Sequence, residues 1–138
     1  MLAFWMRLCN LGDMTEDEFQ QVVEDAIDEL PEEFRDHIDN VEIVIADWPD
    51  SYQKQKMKQK YASERKFVLL GLYEGVPLNH RSVFQTPSLP DRITLFRKTI
   101  EQYCATREDM VDQIHRTLLH EIGHHFGLTD KRLRELGF

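Results

Sequence analysis

The chain has 138 residues, of which 41% are hydrophobic, which is enough for one modest core but too little for two ordinary domains. Its 25 acidic residues exceed its 17 basic ones and give a formal net charge of -8. This surplus disfavours nucleic acid and anionic membranes as partners, because both are bound through basic faces. No apolar run approaches the roughly 18 residues that cross a bilayer, and Cys9 and Cys104 make no disulfide framework. We therefore expect one soluble, cytoplasmic domain.

The first residues of the chain join none of the later patterns. Met14 directly precedes a strong helix start, so residues 1–13 are interpreted as an N-terminal extension and residues 14–138 as the single domain. A tail that packs Phe4 and Trp5 on the core is an equally good interpretation, because ordered termini need such anchors.

Two helices are predicted ahead of the first strand. Thr15 and Glu18 have the spacing of a capping box, and apolar residues then recur at helical intervals up to Leu30. Pro31 ends that helix and suits the first turn of a shorter one. Residues 41–46 are β-branched and predict a strand.

The middle of the chain alternates strands with polar connections. Residues 51–66 are polar and rich in lysine, and we interpret them as a solvated insertion with one or two helical turns rather than an anion-binding loop. The nearly continuous apolar run at 67–73 is typical of a strand buried on both faces. Residues 74–90 are proline-containing and predict a loop, and residues 92–96 alternate as a third strand. A short helix is predicted over 98–104.

A long amphipathic helix is predicted after Thr106, whose hydroxyl is suited to cap its first turn. Gly127 stands where a glycine that ends a helix belongs, and a last short helix follows over 131–136. The apolar stripe of the long helix consists of Val111, Ile114, Leu118 and Ile122.

The candidate metal-binding and catalytic residues lie at the end of the long helix and just after it, in the segment HEIGHHFGLTD at 120–130. His120 and His124 are four residues apart and therefore share one helix face, where both imidazoles can ligate one zinc ion at about 2.0–2.1 Å. Glu121 stands beside the pair and can reach a metal-activated water without ligating the metal, which is the position of a general base.

A catalytic zinc ion usually has three protein ligands, and only 14 residues follow His124. The candidates are His125, Asp130 and Glu135. His125 points about 100° away around the helix, and no motif places Glu135 near the histidines. Gly127 can adopt the left-handed conformation that turns the chain back, so Asp130 is the predicted third ligand.

The pattern HExxHxxGxxD is shared with a group of zincin metallopeptidases, and the chain most closely resembles the bacterial minimal zincin-like metallopeptidase family. Three further segments carry the resemblance: LLGLYEGVPL at 69–78, DRITLF at 91–96 and ELGF at 135–138. The similarity is strong over 67–138 and looser over 15–50. The basic stretch within 51–66 departs from the shorter connection expected there.

The resemblance implies an α+β fold, in which a small mixed sheet packs against the active-site helix with additional N-terminal helices. It also implies zinc ligation by His120, His124 and Asp130, with Glu121 as the general base. No methionine follows Met110, so the methionine turn of larger relatives is absent or replaced. Phe126 and Phe138 are the candidates for its place.

The predicted function is that of a zinc-dependent metallopeptidase, which hydrolyses peptide or protein substrates with a metal-activated water and a glutamate base. The alternative is a metal-binding zincin-fold module with a structural or interaction role, and a metal-dependent amidase is a third possibility. An intact Glu121 favours an enzyme, because a structural site needs no base. His80 and Arg81 are interpreted as solvated loop residues, with oxyanion or carboxylate contacts as the alternative. His37 and His115 are interpreted as structural or surface histidines. Oligomeric state is left open.

Overall fold

The computed structural model describes residues 14–60, 69–75 and 91–135, except for the side chains of Glu33, Lys60 and Asp130. The predicted N-terminal extension, most of the predicted loop at 74–90, and residues 61–68 lie outside this part of the chain. The described helices are α1 (Glu16–Asp28), α2 (Glu32–Arg35), α3 (Ser51–Lys60), α4 (Arg97–Tyr103), α5 (Arg107–His125) and α6 (Asp130–Glu135). The described strands are β1 (Val41–Ala46), β2 (Gly71–Glu74) and β3 (Asp91–Phe96).

The three described strands form one mixed sheet in the order β1–β3–β2. The central strand β3 runs parallel to β1, with Asp91 opposite Val41, and antiparallel to β2, with Leu95 opposite Gly71. Within the described residues, β2 is therefore an edge strand. Together with the surrounding helices, this sheet confirms the predicted α+β class.

The hydrophobic core lies between the sheet and α5, which contacts α1, β2 and β3. The predicted stripe of α5 is confirmed, since Ile114, Leu118 and Ile122 are buried and Val111 is half-buried at its margin. None of the helices that the structure describes combines the length and apolar character needed to cross a bilayer. The fully buried side chains at the centre of the core include Phe19, Ile93, Leu95 and Ile100.

Helix α3 is longer than the one or two turns predicted from its composition. Its start is held by a reciprocal cap, in which the Gln53 amide donates to Asp50 Oδ1 at 2.7 Å and the Asp50 amide donates to Gln53 Oε1 at 3.0 Å. Met57 is buried among side chains from the strands, and this contact anchors the helix to the sheet. The capping-box spacing of Asp50 and Gln53 was the sequence signal for this helix.

Cys104 follows α4 as a buried free thiol. Burial raises the pKa of this thiol, and the carboxylates of Asp109 and Asp112 raise it further. A thiol with a raised pKa stays protonated near neutral pH and is a poor nucleophile. Cys104 is therefore not a candidate catalytic nucleophile.

Two threonines cap the long helices as predicted. The Glu18 amide donates to Thr15 Oγ1 at 3.1 Å, and the Asp109 amide donates to Thr106 Oγ1 at 3.1 Å. The Glu18 side chain pairs with Arg107 at the start of α5, so it links the two helices.

Replacing Thr106 by alanine is expected to lower the free energy of unfolding by about 1 kcal/mol, because the Asp109 amide loses its acceptor at the exposed start of α5. Urea titration followed by circular dichroism measures the change. Thr106→Ser keeps the hydroxyl and is the matched control. An equal loss of stability in both variants would contradict the capping role.

Candidate metal centre

The last turns of α5 bring His120 and His124 together as the sequence predicts. Their ring centroids are 4.7 Å apart, and the ring planes are inclined by 47°. Both side chains are half-buried. Two imidazoles on one helix face, each supported by the fold and reachable from solvent, can offer nitrogen atoms to a single cation.

Glu121 lies next to this pair and is 8% exposed. Its helix packs closely on the edge strand, since a Cβ at Gly71 would lie 2.7 Å from Thr117 Cγ2 and 3.3 Å from Glu121 Cγ. The absence of a side chain at residue 71 thus lets β2 approach α5 at the level of Glu121. The candidate base is held between the helix and an edge of the described sheet.

The turn after α5 reverses the chain in the way that the sequence predicts. Gly127 has φ 80°, in the left-handed region that favours glycine. The Gly127 amide donates to the His124 carbonyl and the Leu128 amide donates to the Gly123 carbonyl, each at 2.9 Å. These two hydrogen bonds are those of a Schellman motif, which ends a helix and redirects the chain. Helix α6 then begins at Asp130.

Helix α6 docks back onto the histidine-bearing turns through Leu133, which is 1% exposed. Leu133 packs on Gly123, where an added methyl group would overlap the leucine side chain. The contact places α6, and with it the backbone of Asp130, next to α5. Glycine at position 123 therefore allows the close approach of α6 to α5.

The third predicted ligand, Asp130, has its side chain outside the described part of the structure. Among the side chains that are described, no group of three His, Cys, Asp or Glu residues is arranged to hold a metal ion. The ligand set of His120, His124 and Asp130 therefore stays a prediction. Glu135 is exposed and its carboxylate accepts from Arg132 Nη1 at 3.2 Å.

His125 points away from its neighbour His124, as predicted, and is buried at 2% exposure. Its Nδ1 lies 2.7 Å from Asp91 Oδ2, and its Nε2 lies 3.3 Å from the carbonyl oxygen of His37. The Tyr73 hydroxyl donates to the same Asp91 oxygen at 2.6 Å. The sequence does not predict these contacts, since only the strand register places Tyr73 and Asp91 beside each other.

The remaining predicted residues are placed as follows. His115 Nδ1 lies 3.6 Å from Glu29 Oε2 between α5 and α1, and this agrees with a structural or surface role. Phe126 packs on Phe34 of α2 with ring centroids 5.0 Å apart, and it also contacts the rings of His37 and His125. His80, Arg81 and Phe138 lie outside the described residues.

Comparison with known families decides the assignment. A sequence model described as "Zincin-like metallopeptidase" matches residues 38–138, from just before β1 through α6. The chain belongs to the zincin-like metallopeptidase family. This membership confirms the zincin-like part of the predicted fold and places the chain among metallopeptidases, a class of hydrolases. No curated protein matches the chain.

The side chains at the end of α5 fit the metal that this family name implies. The paired half-buried imidazoles supply two nitrogen donors, and the carboxylate of Asp130 follows three residues after the left-handed Gly127. Two nitrogens and one carboxylate oxygen form a donor set that zinc accepts in catalytic sites, where a fourth position stays open.

Proposed function

We propose that this protein is a zinc-dependent metallopeptidase, with His120, His124 and Asp130 as zinc ligands and Glu121 as the general base. The observation that supports this proposal best is the grouping of His120, Glu121 and His124 on the final turns of α5, with Glu121 buried against β2. When bound, the zinc ion would lower the pKa of a water molecule and polarise the carbonyl of the scissile peptide bond.

In this proposal, Glu121 is the residue that transfers protons. Its carboxylate accepts a proton from the attacking water and later delivers it to the nitrogen of the leaving amine. Burial suits the carboxylate to this role, because a side chain packed between α5 and β2 needs little further ordering when substrate binds. A site that held zinc only for structure would have no use for a carboxylate at this position.

The edge strand β2 is the proposed docking position for the substrate. One side of β2 pairs with β3, and no other strand among the described residues pairs with its opposite side. An extended peptide can add to such an edge through main-chain hydrogen bonds. A peptide in this position would pass beside Glu121, because Gly71 brings β2 within contact of that side chain. This geometry favours peptide substrates over small amides.

Zinc content and peptide cleavage test the proposal. Protein purified without added metal and dialysed against zinc is expected to contain about one zinc ion per chain, because two imidazoles and one carboxylate complete a catalytic ligand set. Elemental analysis measures the ion, and mass spectrometry of a peptide library measures cleavage. Cleavage should stop with a chelator and return with zinc.

The matched control is the His120→Ala/His124→Ala double variant, which is expected to lose both the zinc and the cleavage. A wild-type protein that takes up no zinc would contradict the proposal. Stoichiometric zinc without any cleavage would favour the alternative of a metal-binding module.

A further inference from the structure

Two buried polar side chains and a half-buried tyrosine meet beneath the last turn of α5, and the proposed chemistry uses none of them. His125 is 2% exposed and Asp91 is 4% exposed, and the half-buried Tyr73 completes the group. Burial of polar groups is unfavourable unless they are hydrogen-bonded. The contacts of 2.7 Å from His125 Nδ1 and 2.6 Å from the Tyr73 hydroxyl, both to Asp91 Oδ2, meet this requirement.

The group joins three separate elements at one point. Tyr73 belongs to β2, Asp91 begins β3, and His125 is the last residue of α5. The carbonyl oxygen of His37, which lies between α2 and β1, is 3.3 Å from His125 Nε2. The ring of His125 therefore has an oxygen atom near each of its nitrogens, and these contacts tie the last turn of α5 to the sheet and to the segment before β1.

We propose that Tyr73, Asp91 and His125 form a positioning cluster that orients His124 for zinc binding. The inference rests on the proposed function, because it concerns the affinity of the same zinc site. His125 directly follows His124, so any rotation of the helix end that moves one ring also moves the other. Helix ends fray, and the directional contacts of the cluster resist this at the turn that carries a ligand.

A metal site has little tolerance for such rotation. Ligand distances in a well-formed zinc site stay within about ±0.2 Å of their usual values. An apolar side chain at residue 125 would also fill the core, but it would lack the directional contacts to Asp91 and to the His37 carbonyl. Hydrogen bonds to a carboxylate are among the stronger ones, so the Asp91 contact is the more important of the two.

Substitutions that remove one contact at a time test the positioning cluster. His125→Gln places an amide nitrogen near the position of Nε2 and loses the Asp91 contact, whereas His125→Asn places it near Nδ1 and keeps that contact. Tyr73→Phe removes only the hydroxyl that donates to Asp91. We expect His125→Gln and Tyr73→Phe to weaken zinc binding about tenfold, the scale seen for partners outside the ligand shell. His125→Asn should weaken zinc binding less than these two variants.

Competition with a chromophoric chelator measures zinc affinity on the folded apoprotein, and the visible spectrum of the cobalt-loaded protein reports the ligand geometry. Ile114→Val is the matched control, because Ile114 is buried in α5 nearly three turns before His124 and its truncation lowers stability without touching the cluster. This variant should keep wild-type zinc affinity and the wild-type cobalt spectrum.

The outcomes separate the two proposals. If His125→Gln and Tyr73→Phe bind zinc as tightly as Ile114→Val at comparable free energies of unfolding, the cluster is only structural and the positioning role is overturned. Tyr73→Phe keeps the test valid if a substitution at residue 125 prevents folding. A wild-type protein that binds no zinc overturns the proposed function and this inference with it. Zinc binding that the variants leave unchanged overturns the inference alone.

Discussion

Glu121→Gln is expected to lower kcat for peptide hydrolysis by about 10²- to 10⁴-fold, the usual contribution of a general base, and to leave zinc bound. Glutamine has nearly the same shape as glutamate but cannot accept the proton of the attacking water. The 8% exposed position between α5 and β2 should admit it without rearrangement. Zinc should stay because Glu121 is not in the proposed ligand set.

Two further variants make the Glu121→Gln result specific. Glu121→Asp keeps a carboxylate but withdraws it by one methylene, and we expect activity between that of the wild type and that of Glu121→Gln. Glu135→Gln changes an exposed glutamate in the neighbouring helix α6 and should leave kcat unchanged. The measurements are kcat and KM with the best peptide of the library, together with zinc content. Wild-type activity of Glu121→Gln would show that another residue is the general base.

The parts of the site that could be predicted from the sequence are local. Residues four apart on a helix share a face whatever the rest of the fold does, so the proximity of His120 and His124 followed from their spacing. The caps at Thr15 and Thr106 and the left-handed Gly127 are likewise decided within a few residues. Each prediction needed only the geometry of one helix and its ends.

The parts that could not be predicted depend on contacts between distant segments. Asp91 meets Tyr73 across 18 residues of sequence and His125 across 34. Only the order β1–β3–β2 and its register bring them together, and the alternation of apolar residues gives neither. The same order makes β2 an edge of the described sheet, so the proposed substrate strand could not be chosen beforehand.

The length of α3 was missed for a different reason, since its signal is local. The lysine-rich composition of residues 51–66 predicts a solvated stretch, whereas the spacing of Asp50 and Gln53 predicts the start of a helix. A capping box together with one buried anchor, Met57, stabilises a helix that is polar elsewhere. Composition describes the exposed faces of such a helix, whereas its N-terminal cap and its buried anchor stabilise it.

Gly123→Ala is expected to change stability in opposite directions in two backgrounds. In the wild type, overlap with Leu133 should lower the free energy of unfolding by about 1–3 kcal/mol. The better helix propensity of alanine should raise it by about 1 kcal/mol. The net result is a loss of up to about 2 kcal/mol. In a Leu133→Ala background the overlap disappears and the propensity gain remains, so the same substitution should stabilise by up to about 1 kcal/mol. Urea unfolding of the four proteins gives the coupling energy.

The same four proteins also test whether Asp130 is the third zinc ligand, as proposed. Helix α6 begins at Asp130 and is held against α5 by the contact between Leu133 and Gly123, so displacing α6 should move the proposed ligand and weaken zinc binding about tenfold or more. Leu133→Ala alone loosens the same contact and should also weaken zinc binding. A Gly123→Ala effect of equal size in both backgrounds would exclude this docking of α6. A clear coupling energy with unchanged zinc affinity would instead exclude Asp130 from the ligand set. The zinc affinity would then not depend on the position of α6.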